Sequence, residues 1–139
     1  MDKPAFVDLL NEDLALEFKS IVQYTRHIAM ISGPEYVGVV EELRSHLEQE
    51  LNHALTLAEQ IDFLGGTPVH SVPDAPDANG DAKASLRLDL DLEQNQLERY
   101  RERVDQANEL GLADVAEVLR PLLTQTQDHV RELQAALGD

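Results

Sequence analysis

Apolar residues recur along this chain at alternating spacings of four and three, the pattern of helices that each bury one stripe. Leu10, Leu14, Ile21 and Ile28 fall on one such seam, together with Glu17 and Tyr24, and predict a first helix over residues 6–31. Ser32-Gly33-Pro34 interrupts it, and the proline is placed to open a second helix over 34–64. Val40, Leu43, Leu47, Ala54, Leu57, Ile61 and Leu64 form the second seam, with Glu50 among them. Gly65-Gly66 closes that helix, and residues 65–84, rich in Pro, Asp and Gly and without periodicity, read as a long connection. Leu86, Leu90, Glu93, Leu97, Tyr100, Val104 and Ala107 mark a third helix over 85–110, with Gly111 as its stop. Leu112, Val115, Leu119, Leu122, Thr126, His129, Leu133 and Ala136 mark a fourth over 112–137. Two tight hairpins and one long connection predict a single domain over 1–139, an all-α antiparallel four-helix bundle with its crossover between helices two and three. An extended coiled coil would keep its heptads uninterrupted.

The informative positions are those that violate the seams. A carboxylate in a bundle core costs several kcal/mol unless it is protonated, paired or bound to a cation. Glu17, Glu50 and Glu93 occupy seam positions in three different helices, which points to one shared ligand. Glu50 precedes His53 by three residues, so both side chains share a helix face, as a metal site requires. A lone Glu-x-x-His in so acidic a chain is ordinarily a surface coincidence. Here an internal repeat supports it: an offset of 76 residues carries Glu17 to Glu93, Tyr24 to Tyr100, His53 to His129 and Glu50 to Thr126. Two halves of a bundle would then approach one site from opposite sides, and only Thr126 breaks the chemical symmetry.

The stretches Leu14-Ala15-Leu16-Glu17 through Gln23-Tyr24, Glu50-Leu51-Asn52-His53 and Asp89-Leu90-Asp91-Leu92-Glu93 resemble bacterioferritins, and the resemblance covers nearly the whole chain. It implies the ferritin-like bundle and a buried di-iron site built from one glutamate on each of two helices and a Glu-x-x-His on each of the other two. By resemblance, Glu17 and His53 hold one metal, Glu93 and His129 the other, and Glu50 bridges them, with at most two irons per subunit. Thr126 stands where the family has its second bridging glutamate, which removes one negative charge and one bridge. The implied function is oxidation and storage or detoxification of iron(II), with dioxygen or peroxide as oxidant. The alternative is a metal-binding or structural bundle without efficient ferroxidase turnover. Leu51 takes the place of the haem-ligating methionine, so no haem is expected. The chain runs only ten residues past His129, short of a fifth helix, and a homo-oligomer is expected: a dimer up to a cage, twelve subunits favoured over twenty-four.

Composition narrows the alternatives. The absence of cysteine excludes disulfides, thiolate zinc sites and the rubredoxin centre of rubrerythrin-type peroxidases. With 27 acidic against 11 basic residues the formal charge is −16, which repels phosphate backbones and gathers cations, so no nucleic-acid partner is expected. Met1-Asp2-Lys3-Pro4 opens no basic-then-apolar leader and no apolar run is long enough for a membrane span, so a soluble, cytoplasmic protein is expected. Tyr24 and Tyr100 read as core residues able to bond a metal-ligating glutamate. Asp89 reads as a solvated face residue, His27, His46 and His70 as surface or edge histidines, and Pro121 as a kink in helix four.

Overall fold

The computed structural model describes residues Met1–Asp139 and contains four long helices: α1 (Lys3–Met30), α2 (Val37–Phe63), α3 (Ala82–Glu109) and α4 (Ala113–Leu137). The all-α antiparallel bundle with one long crossover is therefore what the chain adopts. α1 starts at Lys3, three residues before the expected start at residue 6, because the Asp2 carboxylate caps the Ala5 amide at 2.9 Å and Pro4 sits in the first turn, where it forfeits no hydrogen bond. α3 likewise starts at Ala82, ahead of the expected Ser85, because Asp81 caps Ala84 at 2.8 Å. Gly33, at φ +115°, makes the break after α1, and a single 3-10 turn, Pro34–Tyr36, leads into α2. α4 passes through Pro121 without interruption, with the proline on its exposed side.

α1 packs on α2 and on α3, α4 packs on α3, and α2 meets α4 along the loosest of the four seams. The crossover is tied to α1 by Asn11, whose side chain donates to Thr67 O at 3.1 Å and accepts from Val69 N at 2.9 Å. Buried apolar residues form two clusters. One holds Phe6, Leu10, Leu14, Leu57, Ile61, Val104, Val115 and Leu119, and the other Ile31, Leu43, Leu86, Leu90, Val130 and Leu133. Burial of each large aliphatic side chain stabilises by about 1.5–3 kcal/mol. That gain offsets the cost of a polar layer held between the clusters, comprising Glu17, Glu50, His53, Glu93, Thr126 and His129, each no more than 1% exposed.

Candidate metal centre

The five residues singled out by the sequence, one or two from each helix, converge in that layer. Glu17, Glu50 and His53 form one group of potential ligands; Glu50, Glu93 and His129 form a second. Glu50 belongs to both. Its Oε1 lies 2.9 Å from His129 Nδ1 and its Oε2 lies 3.6 Å from His53 Nδ1. Glu93 Oε1 stands 3.2 Å from His129 Nδ1, and Glu17 Oε1 stands 3.7 Å from His53 Nδ1.

The hydrogens around this layer are already committed. Gln125 Oε1 accepts from His53 Nε2 at 2.7 Å, and Gln49 Oε1 accepts from His129 Nε2 at 2.6 Å. Each imidazole in its neutral form therefore turns the bare lone pair of Nδ1 toward carboxylates. Tyr100 donates to Glu17 Oε1 at 2.5 Å and Tyr24 to Glu93 Oε1 at 2.9 Å. The inward atoms are left without partners: Glu17 Oε2, Glu50 Oε2, Glu93 Oε2 and His53 Nδ1 have no hydrogen-bond donor or acceptor. Lone pairs aimed at one another inside a core demand protons or cations. The set of carboxylate oxygens and imidazole nitrogens suits a first-row divalent metal such as iron(II), so these residues fit the pair of metals that the resemblance implies.

Electrostatics carries the same imprint. Burial, reinforced by repulsion from Glu17 and Glu93, pushes the Glu50 carboxyl well above the ordinary carboxylate range. Glu93 moves the other way: burial works to raise it, but bonds from His129 and Glu50 outweigh that and hold it down. Burial works to lower His53, and the bond and charge of Glu17 outweigh it, leaving the ring more basic than usual. Burial and then the charge of Glu93 or Glu17 raise Tyr24 and Tyr100, so both hydroxyls stay protonated donors.

The offset of 76 extends well beyond the motif residues. Asp13 on α1 is gripped by Arg99 and Arg103 of α3, at 2.6 and 2.8 Å; its repeat partner Asp89 on α3 is gripped by Gln23 and His27 of α1, at 3.1 and 2.8 Å. Ser20 donates to its own repeat partner, Gln96, at 3.2 Å. Asp89, His27 and His46 thus differ from expectation. Each is buried, because each finds its counter-group across a helix interface rather than in solvent. His70 is exposed. Thr126 lies in the polar layer as Glu50's repeat partner, but its hydroxyl donates to Leu122 O at 2.7 Å, within its own helix. The sequence reading missed Gln49 and Gln125, although each sits one residue before a layer position and the two are themselves related by the offset.

The arrangement has close counterparts. Among solved structures, a ferritin-like, di-iron-carboxylate protein of Bacillus anthracis str. Ames superposes with a TM-score of 0.93 at 31% identity, covering 99% of this chain and 98% of that one. A dodecameric thioferritin, the bacterioferritin-related protein of Bacteroides fragilis, gives 0.89 at 26% identity over 100% of this chain and 88% of that one. Among curated proteins, the DNA protection during starvation protein of Halobacterium salinarum (strain ATCC 700922 / JCM 11081 / NRC-1) is 29% identical across 96% of this chain and 78% of that protein. The kinship with bacterioferritin implied by the motifs holds as well. No helix is long and apolar enough to cross a membrane. With residues 7–139 matched by the model of the Ferritin-like domain, the chain belongs to the ferritin family.

Proposed function

We propose that this chain is an iron-handling ferritin that binds a pair of iron(II) ions between Glu17, Glu50, His53, Glu93 and His129 and oxidises them. The observation that carries the reading is the pair of buried imidazoles, each held at Nε2 by a glutamine on its far side so that Nδ1 is the nitrogen facing the shared carboxylate of Glu50. Glu17 and His53 take one ion, Glu93 and His129 the other, and Glu50 spans both. Iron is the substrate here. Each ion gives up one electron, and dioxygen takes two electrons and two protons to leave as hydrogen peroxide; with peroxide as oxidant, the same two electrons and two protons yield two waters. The chain's own contribution is positional. The tyrosines hold the terminal glutamates, the glutamines hold the imidazoles, and the flanking apolar clusters exclude bulk water.

The dodecameric relative supports a homo-oligomeric shell, with twelve subunits as the favoured size. So do Leu51 and Leu55, one turn apart on the outer face of α2 and more than half exposed in the isolated subunit. Leu51 offers no donor atom to a haem iron, and the charge of −16 opposes direct contact with nucleic acid. One observation favours a weaker centre: Thr126 supplies no carboxylate and spends its hydroxyl on its own helix. On that second reading the chain binds metal with slow turnover.

Anaerobic titration of metal-free protein with iron(II), followed by admission of oxygen, separates the two readings. Two irons bound per subunit and a rapid ferric absorbance rise support the ferroxidase. Binding with a slow rise selects the second reading, and failure to bind iron removes both.

A further inference from the structure

Beside the central layer lies a second, asymmetric cluster that the di-metal reading does not use. His46 on α2 is 2% exposed, and its ring stacks on that of His129 with centroids 4.0 Å apart. Its Nδ1 lies 3.2 Å from the Tyr24 hydroxyl, and its Nε2 lies 2.9 Å from Glu132 Oε2 on α4. Glu42, one turn before His46, completes the group: ligand atoms of Glu42, His46 and Glu132 lie within 4.8 Å of one another. No lysine or arginine pairs with either carboxylate, although the chain's arginines form ion pairs elsewhere along the bundle.

Proton counting makes this cluster more than an acidic patch. The one hydrogen of the Tyr24 hydroxyl goes to Glu93 Oε1, so its oxygen accepts from His46 Nδ1–H. The Nε2 of that buried ring then faces Glu132 Oε2, with a Glu42 carboxylate oxygen in the same group, and in a neutral imidazole it does so with a bare lone pair. One imidazole nitrogen and two carboxylates carry the charge and the donor types of a divalent first-row metal site. Glu132 is 44% exposed at its side chain, His46 is almost fully buried, and His129 lies behind it, so the three form a graded path from solvent to the central layer. The repeat shows that the fold does not require the cluster. At the offset of 76, Glu42 and His46 become Val118 and Leu122, and the position matching Glu132 is Thr56. Only the Glu50–Glu93–His129 side is equipped in this way.

We propose that Glu42, His46 and Glu132 form a third divalent-cation site on the α2–α4 seam, and that it feeds the position held by Glu93 and His129. The feeding role rests on the di-metal reading; the binding site does not. Cobalt(II) is the probe for binding, read by equilibrium titration and by anomalous scattering from crystals soaked in cobalt(II) alone. The expected result is three cobalt ions per subunit, one among these three side chains, with loss of that one ion alone in the Glu42→Gln/Glu132→Gln variant. Both side chains are only partly buried at the α2–α4 seam, and glutamine keeps their size and shape, so the double variant is expected to fold, and retention of its central ions verifies this. Wild-type protein with central cobalt only, or a double variant that keeps the third ion, would overturn the site. An outer ion without central ones would instead overturn the di-metal reading and leave this site standing. With iron(II) below two equivalents, the double variant should oxidise the same amount several-fold more slowly; an unchanged rate would remove the feeding role.

Discussion

Gln49 accepts the Nε2 proton of His129 at 2.6 Å, and this one bond decides which nitrogen of the ring faces Glu50 and Glu93. Gln125 does the same for His53. A neutral imidazole freed from such a partner divides its population between two tautomers and rotates more freely, so fewer molecules present Nδ1 to a metal. Loss of partners of this kind typically lowers metal affinity about 10–100-fold. Gln49→Leu should weaken binding at the Glu93–His129 position and Gln125→Leu at the Glu17–His53 position, each sparing the other. Isothermal titration that resolves two binding steps checks this, and equal affinities in both variants and wild type would show that the glutamines do not set the tautomer.

The glutamates and the Glu-x-x-His were legible in the sequence because they break an otherwise apolar seam, and burial makes such a break costly. Their support was less legible. Gln49 and Gln125 lie off the seam and are uncharged, so no energetic anomaly draws attention to them, yet the offset of 76 relates them as it relates His53 and His129. Asp89 and Asp13 each stand one turn before a seam glutamate, on the same face. Asp89 reads as solvated, and Asp13 draws no attention, until the partners on the opposite helix, His27 for one and Arg103 for the other, are known. That pairing depends on helix packing rather than on local pattern. His46 did carry a signal: positions 46, 50, 53 and 57 keep the four-three spacing of a buried face. It lacks a repeat partner, since Leu122 stands at the offset position, and so the symmetry that revealed the central layer passed it by.

Metal-free protein should lose stability as pH rises. Burial, then repulsion from Glu17 and Glu93, raises the Glu50 carboxyl well above its ordinary value of 4.5, so the folded chain keeps a proton that the unfolded chain releases. The stabilising contribution is complete below about pH 4.5 and is lost as pH climbs through the folded value, by at most about 1.4 kcal/mol per pH unit for one proton. Burial raises Asp13 and Asp89 in the same direction, whereas His46, lowered by burial and then by His129, contributes the opposite slope below its ordinary 6.5. A metal ion replaces the proton, so the rise in melting temperature on adding metal should grow with pH. Thermal denaturation between pH 5 and 8, with and without metal, tests both trends. Glu50→Gln should flatten the metal-free slope; an unaltered slope in that variant would exclude Glu50 as its source.

The Asp13 cluster should act as a stability element separate from the metal layer. Arg103 is 1% exposed and donates to an Asp13 that is 2% exposed, with Arg99 as second donor at 2.6 Å. Removing one partner of a buried ion pair costs roughly 3–5 kcal/mol, and the remaining Arg99 should hold the loss near the lower end. Arg103→Met is accordingly expected to lower unfolding stability by about 3 kcal/mol in urea, and Asp13→Asn combined with it should recover part of the loss. Metal stoichiometry should stay at the wild-type value in both variants. A fall in stoichiometry would mean that the α1–α3 pairing positions Glu17 as well as stabilising the bundle.

Thr126 is where the repeat departs from chemical symmetry, and the consequence is electrostatic. Two divalent ions at the spacing of about 4 Å common in two-metal sites repel by on the order of 15 kcal/mol at an effective dielectric of about 20. Three carboxylates oppose four positive charges, and only Glu50 lies between the two ligand groups. Thr126→Glu adds the fourth charge at the position related to Glu50 by the repeat, replacing a hydroxyl committed to Leu122 O. Without metal, that charge is buried beside Glu50, whose carboxyl already resists ionisation, so the variant should melt below wild type. With metal, the order should reverse: the second equivalent should bind more tightly, both positions should load together, and iron(II) oxidation should be faster. Wild type under limiting iron should fill one position ahead of the other. Thermal melts of metal-free and loaded proteins, isothermal titration and oxygen consumption together decide the matter. If wild type binds two irons with equal affinity and oxidises them as fast as the variant, the missing carboxylate does not limit the centre, and a group other than residue 126 completes the bridge.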